Sequence, residues 1–273
     1  MRAPDRSYLF VPGNRPERFA KALQSGAHAV VLDLEDAVAP EQKEAARQAL
    51  ADWLPGGAPV YLRVNGSDTA WFDADCALLS AAAVRGVMLP KAQGVNELAA
   101  LRARLRPEQT LIPLIETVLG WSRARTLAAC PGVLRLAFGS VDFAADAGIR
   151  GDVEELASVR TELVLASRLA GLQAPVDGVS LALDDALQQA EEVARSRRFG
   201  FGAKLCVHPK QVAGVNQGFA PSPAERAWAQ RVVDAVAQRG LGAIAVDGKL
   251  VDKPVLLLAE AVLAEPPAAA ATA

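Results

Sequence analysis

Leu111-Ile112-Pro113-Leu114-Ile115-Glu116 sets five apolar residues in a row and ends them with a carboxylate. An apolar run of this kind reads as a strand covered on both faces, the mark of a parallel sheet packed between helices. A charge at its end loses hydration, so Glu116 needs a partner. A second run ends the same way, in Phe138-Gly139-Ser140-Val141-Asp142. Taken singly, each carboxylate reads as an ordinary loop residue. Together they read as half of a metal site, because Mg²⁺ is commonly held by one or two carboxylates while water and substrate oxygens complete the octahedron.

Outward from these runs, short β-branched or aromatic stretches alternate with longer amphipathic ones along the chain. That is the pattern of repeated βα units. The candidate strands are Tyr8 to Val11, Ala29 to Leu34, Val60 to Val64, Gly86 to Leu89, Leu111 to Ile115, Leu134 to Phe138, Val176 to Val179 and Gly202 to Val207. Helical spacing covers Pro40 to Leu50 and Val153 to Leu169 between them. Eight units imply a closed (β/α)₈ TIM barrel over residues 1–220. The alternative is an open doubly wound sheet, but the first loop, Pro12-Gly13-Asn14-Arg15-Pro16, lacks its GxGxxG fingerprint.

Beyond the barrel, residues 221–265 read as a C-terminal extension. It comprises a helix from about Ser222 to Arg239, a strand-like Ala243 to Gly248 and an apolar helix near Val255 to Leu263. A barrel closes without such pieces, so the extension is expected to plug one end or contact a neighbouring protomer. The tail 266–273, Pro266-Pro267 followed by alanines, reads as disordered.

Composition narrows the function classes. The 273 residues are 51% hydrophobic, enough for two average domains or one large barrel. A net charge of −2 offers no electrostatic case for nucleic acid or an anionic membrane. Cys76, Cys130 and Cys206 lack metal-ligand spacing and read as buried free thiols, which suits a reducing cytoplasm. The N-terminus shows no signal-peptide run, and Glu260 and Glu265 interrupt the apolar C-terminus, so no membrane span is expected.

In such a barrel the chemistry sits at the C-terminal strand ends, and the polar residues here converge on that rim. Strand two ends in Asp33-Leu34-Glu35-Asp36, three in Arg63-Val64-Asn65, four in Pro90-Lys91, five in Glu116, six in Gly139-Ser140-Val141-Asp142, seven in Ser180 and eight in His208-Pro209-Lys210. Arg63 alone would be a surface cation; on this rim it can stabilise negative charge developing on a substrate. Lys91 reads as an anion contact, since a carboxylate-rich rim opposes the lowered pKa that a Schiff-base nucleophile needs. Glu35 and Asp36 support either metal-bound water or Arg63, with a helix N-cap as the competing role for Asp36. Gly139 and Ser140 are candidate substrate contacts. Asn14, Arg15 and Arg18 follow the first strand and suit the phosphates of a nucleotide-bearing cofactor, or equally a solvated helix start. His208 reads as a wall residue, and His28 lies at the opposite end of the barrel.

With these residues in place, the chain resembles the citrate lyase β-subunit and malyl-CoA lyase-like family. The strings that carry the resemblance include Leu9-Phe10-Val11-Pro12-Gly13-Asn14-Arg15-Pro16-Glu17-Arg18-Phe19, Leu32-Asp33-Leu34-Glu35-Asp36-Ala37-Val38, Leu62-Arg63-Val64-Asn65, Met88-Leu89-Pro90-Lys91, Val207-His208-Pro209-Lys210-Gln211 and Gly248-Lys249-Leu250-Val251-Asp252-Lys253-Pro254. The resemblance implies a Mg²⁺-dependent barrel enzyme that cleaves a citryl-, malyl- or citramalyl-type 3-hydroxyacyl thioester, on CoA or acyl-carrier protein. The products are an acetyl-type thioester and a 2-oxo acid such as oxaloacetate. It implies Glu116 and Asp142 as metal ligands, Arg63 as a substrate contact, and Asp252 as an acid/base group brought to a neighbouring protomer's site. It further implies a homo-oligomer, a trimer or a multiple of one. The alternatives are a metal-dependent aldolase on small hydroxy-oxo acids without CoA, and a citrate lyase subunit active only beside partner subunits.

Overall fold

The structure, a computed structural model, describes residues 4–240 and 244–267. Eight parallel strands close into a barrel in sequence order: β1 Ser7–Pro12, β2 Ala29–Asp33, β3 Val60–Arg63, β4 Val84–Leu89, β5 Thr110–Ile115, β6 Ala137–Phe138, β7 Val176–Asp177 and β8 Ala203–Cys206. Closure through β1 and β8, which pair Ser7 with Lys204 and Leu9 with Cys206, removes the open-sheet alternative. Every expected strand is present. The sixth is shorter than its expected run, with regular pairing to β5 only at Ala137 and Phe138; ahead of it Arg135 donates to the carbonyls of Asp5 at 2.7 Å and of Ala174. The expected helix from Val153 starts only at Ala157. Ahead of it, Asp152 is drawn aside by Arg160 and Arg195, whose guanidinium groups reach its carboxylate at 2.6 and 2.9 Å.

Residues at alternate strand positions fill the barrel interior, among them Tyr8, Val31, Tyr61, Met88, Ile112, Leu114 and Leu205, with Phe10 above them. At the N-terminal end the lumen is closed by cations over rings. Arg135 lies 5.7 Å from the Tyr8 ring, and Arg85 lies 5.0 Å from the Tyr61 ring while pairing with Asp5 at 2.9 Å. The closed floor leaves the opposite rim as the open end.

The described chain forms two compact units, Pro4–Val215 and the residues from Asn216 onward. The second has its own core of Ala229, Val232, Val251 and Ala259. Its helix Pro223–Arg239 starts at a capping box in which Ser222 and Glu225 bond reciprocally at 3.1 and 2.7 Å. The strand-like run is a hairpin: β9 Ile244–Val246 pairs antiparallel with β10 Lys249–Val251 across Asp247-Gly248, whose φ values of 54° and 76° suit a two-residue turn. The helix Lys253–Ala264 follows. Residues 268–273 of the expected disordered tail lie outside the described residues. No helix among the described residues is long and apolar enough to cross a membrane.

Candidate active site

The rim is organised around Arg63. Asp33 and Arg63 are register partners at the ends of β2 and β3, and the guanidinium grips the carboxylate in a fork, Nε to Oδ1 at 2.7 Å and Nη2 to Oδ2 at 2.6 Å. Its remaining edge meets Glu35 at 2.9 Å, and its face lies 4.6 Å from the Phe10 ring. Burial works against this cation, but Asp33, Glu35 and Glu116 outweigh it and hold Arg63 well above its ordinary value. Sequence reasoning set Asp33 on the rim yet gave it no role. The signal was available in one Asp closing the apolar run Ala29-Val30-Val31-Leu32 beside a strand that closes in Arg.

Glu35 supports Arg63 directly. Asp36 is half exposed, with its nearest oxygen 3.9 Å from Arg63. It caps no helix, since the next helical turn begins at Pro40 with Ala39 in the cap position. Lys91 reaches Glu35 at 2.5 Å, and Asp36 and Glu116 at 3.8 and 3.9 Å. Burial favours the neutral amine, but the hydrogen bond to Glu35 and the surrounding carboxylates keep its pKa raised, so it is not an amine nucleophile. The backbone of Lys91 has φ 48°, rare for a residue with a Cβ; this turn aims its N–H at Glu116 Oε1, 2.7 Å away.

Glu116 is 1% exposed, and its Oε2 has no hydrogen-bond partner among the described residues. Burial, reinforced by the charge on Glu35, pushes its pKa up to about 8. Beside it, β6 delivers Gly139, where an added Cβ would stand 2.6 Å from both the Cβ and the Oε2 of Glu116. The missing side chain keeps that orphaned oxygen open. Asp142 lies in the first turn of the helix Ser140–Ala147 and is exposed. No trio of His, Cys, Asp or Glu among the described residues forms a complete protein cage. The donor chemistry instead fits a hard divalent cation: a carboxylate with one unpartnered oxygen just past β5, and a second in the first helical turn after β6, the neighbouring strand. Charge points the same way, since the cluster of Asp33, Glu35, Asp36 and Glu116 is paired with Arg63 and Lys91 and carries more carboxylates than those two cations neutralise.

The remaining candidates separate. Ser140 is buried against Gly178, where a Cβ would come 2.3 Å from its Oγ. Asn14 donates to Gln42, Arg15 pairs with Glu17 at 2.6 Å, and Arg18 lines a cavity of about 500 Å³ at the ends of β1 and β8. Lys21, His208 and Lys210 share that cavity, so His208 is a wall residue there. Lys91, just past β4, is not among its lining residues. Asp252 is exposed and caps the helix Lys253–Ala264, accepting from the Val255 N–H at 3.1 Å. Cys76 and Cys206 are buried as expected, but Cys130 is only half-buried.

The model of the HpcH/HpaI aldolase/citrate lyase family matches residues 6–209. A citrate lyase subunit beta-like protein of Deinococcus radiodurans is 37% identical, covering 94% of this chain and 96% of that protein. A (3S)-malyl-CoA thioesterase of Cereibacter sphaeroides is 35% identical over 98% of this chain and 96% of its own length. The crystal structure of CitE from Mycobacterium tuberculosis in complex with magnesium, acetoacetate and coenzyme A superposes with a TM-score of 0.83 at 35% identity, covering 96% of this chain and 98% of that one. By the barrel, the rim and these matches along nearly its full length, the chain belongs to the HpcH/HpaI aldolase/citrate lyase family.

Proposed function

We propose that this chain is a Mg²⁺-dependent carbon–carbon lyase that cleaves a 3-hydroxyacyl thioester of the citryl, malyl or citramalyl type into an acetyl-type thioester and a 2-oxo acid. The observation that carries the reading is the buried Glu116 carboxylate, with one oxygen left unpartnered beside Gly139. Glu116 and Asp142 would hold the metal. Bound there, the cation would supply a template and Lewis acid for the carboxylate and neighbouring oxygen of the oxo-acid portion.

In cleavage the 3-hydroxyl proton passes to solvent water, the C–O bond becomes the carbonyl of the 2-oxo acid, the bond between C2 and C3 breaks, and its electron pair stays on the thioester as an enolate. Arg63, held in plane by Asp33 and Glu35, offsets the negative charge as it moves. Asp252, contributed by a second copy in a homo-oligomer, delivers a proton to the enolate carbon, and in the synthetic direction removes it from the methyl group. The cavity of about 500 Å³ lined by Arg18, Lys21, His208 and Lys210 has the basic lining to take the phosphates of a CoA handle.

A second reading adds thioester hydrolysis after cleavage, and the likeness to a malyl-CoA thioesterase favours it. Incubation with Mg²⁺ and citryl-, malyl- and citramalyl-CoA, with both products identified, tests the two together. A lyase yields oxo acid and acyl-CoA in equal amounts; hydrolysis yields free CoA. No cleavage of any of the three by folded protein defeats the proposal.

A further inference from the structure

Lys43 is a buried ammonium that the chemistry above does not use. It opens the helix Lys43–Trp53 and is 5% exposed, yet it forms no ion pair with a carboxylate among the described residues. Its three N–H bonds go to neutral oxygens: the carbonyls of Leu34 at 2.7 Å and Glu35 at 2.8 Å, and Asn65 Oδ1 at 2.7 Å. Asn65 donates in turn to the Leu34 carbonyl at 2.9 Å and to Asp75 Oδ2 at 2.6 Å, so the acceptor it offers Lys43 is fixed. An ammonium with two donors on the turn's carbonyls and the third on a fixed Asn65 side chain defines where that turn sits.

The opposite side of the same turn faces the site. Its N–H groups at Glu35 and Ala37 donate to the two oxygens of Asp33, at 2.9 and 3.3 Å, and those same oxygens hold the Arg63 fork. Carbonyls anchored on Lys43 thus place the amides that orient Asp33, while Glu35, within the turn, fixes the other edge of Arg63. We propose that Lys43 is the positioning residue of this site, setting the orientation of Arg63 through the Leu34-Glu35 turn without touching substrate. The proposal rests on the reading of Arg63 as the charge-offsetting group.

Lys43→Met and Lys43→Ala test it. In the lyase assay, kcat is expected to fall about 10- to 100-fold, the penalty of a misplaced catalytic group, while KM for the thioester and Kd for Mg²⁺ stay within about twofold. Propylammonium should restore kcat of Lys43→Ala saturably, and propanol should not. A direct readout independent of turnover is the side-chain Nε–H resonance of Arg63 in ¹⁵N-arginine spectra. It should lose its slow solvent exchange in Lys43→Met, while that of Arg160, which pairs with Asp177, keeps its own. If neither variant folds, Asn65→Ala removes one acceptor and leaves the ammonium in place, and the same resonance should exchange faster. Unchanged Arg63 exchange and kcat in a folded variant overturn the proposal, as does a parallel loss of kcat, KM and metal affinity. A wild-type protein without lyase activity whose Arg63 exchange still depends on Lys43 would defeat the lyase reading and leave the Lys43 link standing.

Discussion

Replacing Gly139 by alanine should weaken metal binding by crowding a single carboxylate. The added methyl would stand 2.6 Å from Glu116 Cβ and Oε2, where ordinary contact begins near 3.4 Å, so one of the two groups must give by about 0.8 Å. Backbone conformation does not add to this, because Gly139 has φ −90°, open to any L-residue. Glu116 has little freedom to retreat, since its other oxygen accepts the Lys91 N–H at 2.7 Å and the residue is buried. Overpacking of this kind costs about 1–3 kcal/mol. Placed on the metal-bound geometry, that corresponds to a loss of roughly 5- to 150-fold in affinity. Titration calorimetry with Mg²⁺ or Mn²⁺ reads it, alongside a Tm lowered by about 2–4 °C per kcal/mol of lost stability. A folded Gly139→Ala protein with wild-type metal affinity would refute the placement of Glu116 in the metal site.

Three further outcomes follow from the same geometry. In metal-free protein Glu116 titrates near 8 rather than the ordinary 4.5, so between these values the folded state keeps a proton the unfolded state has lost, and stability falls as pH rises across that window. Glu116→Gln should therefore gain on wild type from about pH 4.5 to 8, by at most about 5 kcal/mol, and denaturant melts at pH 5 and pH 9 read the difference. Asp252→Asn keeps a good helix cap, so its Tm should match wild type while turnover falls at least about 100-fold, a separation that steady-state kinetics with thermal melts will show. Arg63→Lys retains the charge but loses the fork to Asp33, and kcat should drop about 10²- to 10³-fold with Mg²⁺ affinity retained.

Strand positions were legible in the sequence because most of the barrel strands are covered on both faces and are written as largely apolar runs. Their lengths were less so: Leu134 to Leu136 was expected to continue into Ala137-Phe138, but regular pairing with β5 covers only the last two residues. The two carboxylates proposed to hold the metal stand out because a carboxylate at the end of a buried run is conspicuous. Asp33 was hidden by its own neighbours, Glu35 and Asp36, which share its turn; strand register separates them, setting Asp33 against Arg63. Lys43 gave no signal, since a lysine within an amphipathic helix looks like part of its solvated face until the fold turns it inward. The hairpin strand Lys249-Leu250-Val251 was too short for its periodicity to show. Asp252 came only from family resemblance, and in this chain by itself its visible work is a helix cap.

The central claim is that the Glu116 and Asp142 carboxylates make cleavage metal-dependent, and the most direct measurement is oxo-acid release from the thioester panel as a function of Mg²⁺ concentration. Wild type should be silent after chelation and rise hyperbolically with Mg²⁺, and Glu116→Gln and Asp142→Asn should each need at least about tenfold more metal. Cleavage at the full rate in chelated protein, or the same Mg²⁺ dependence in all three proteins, would contradict it.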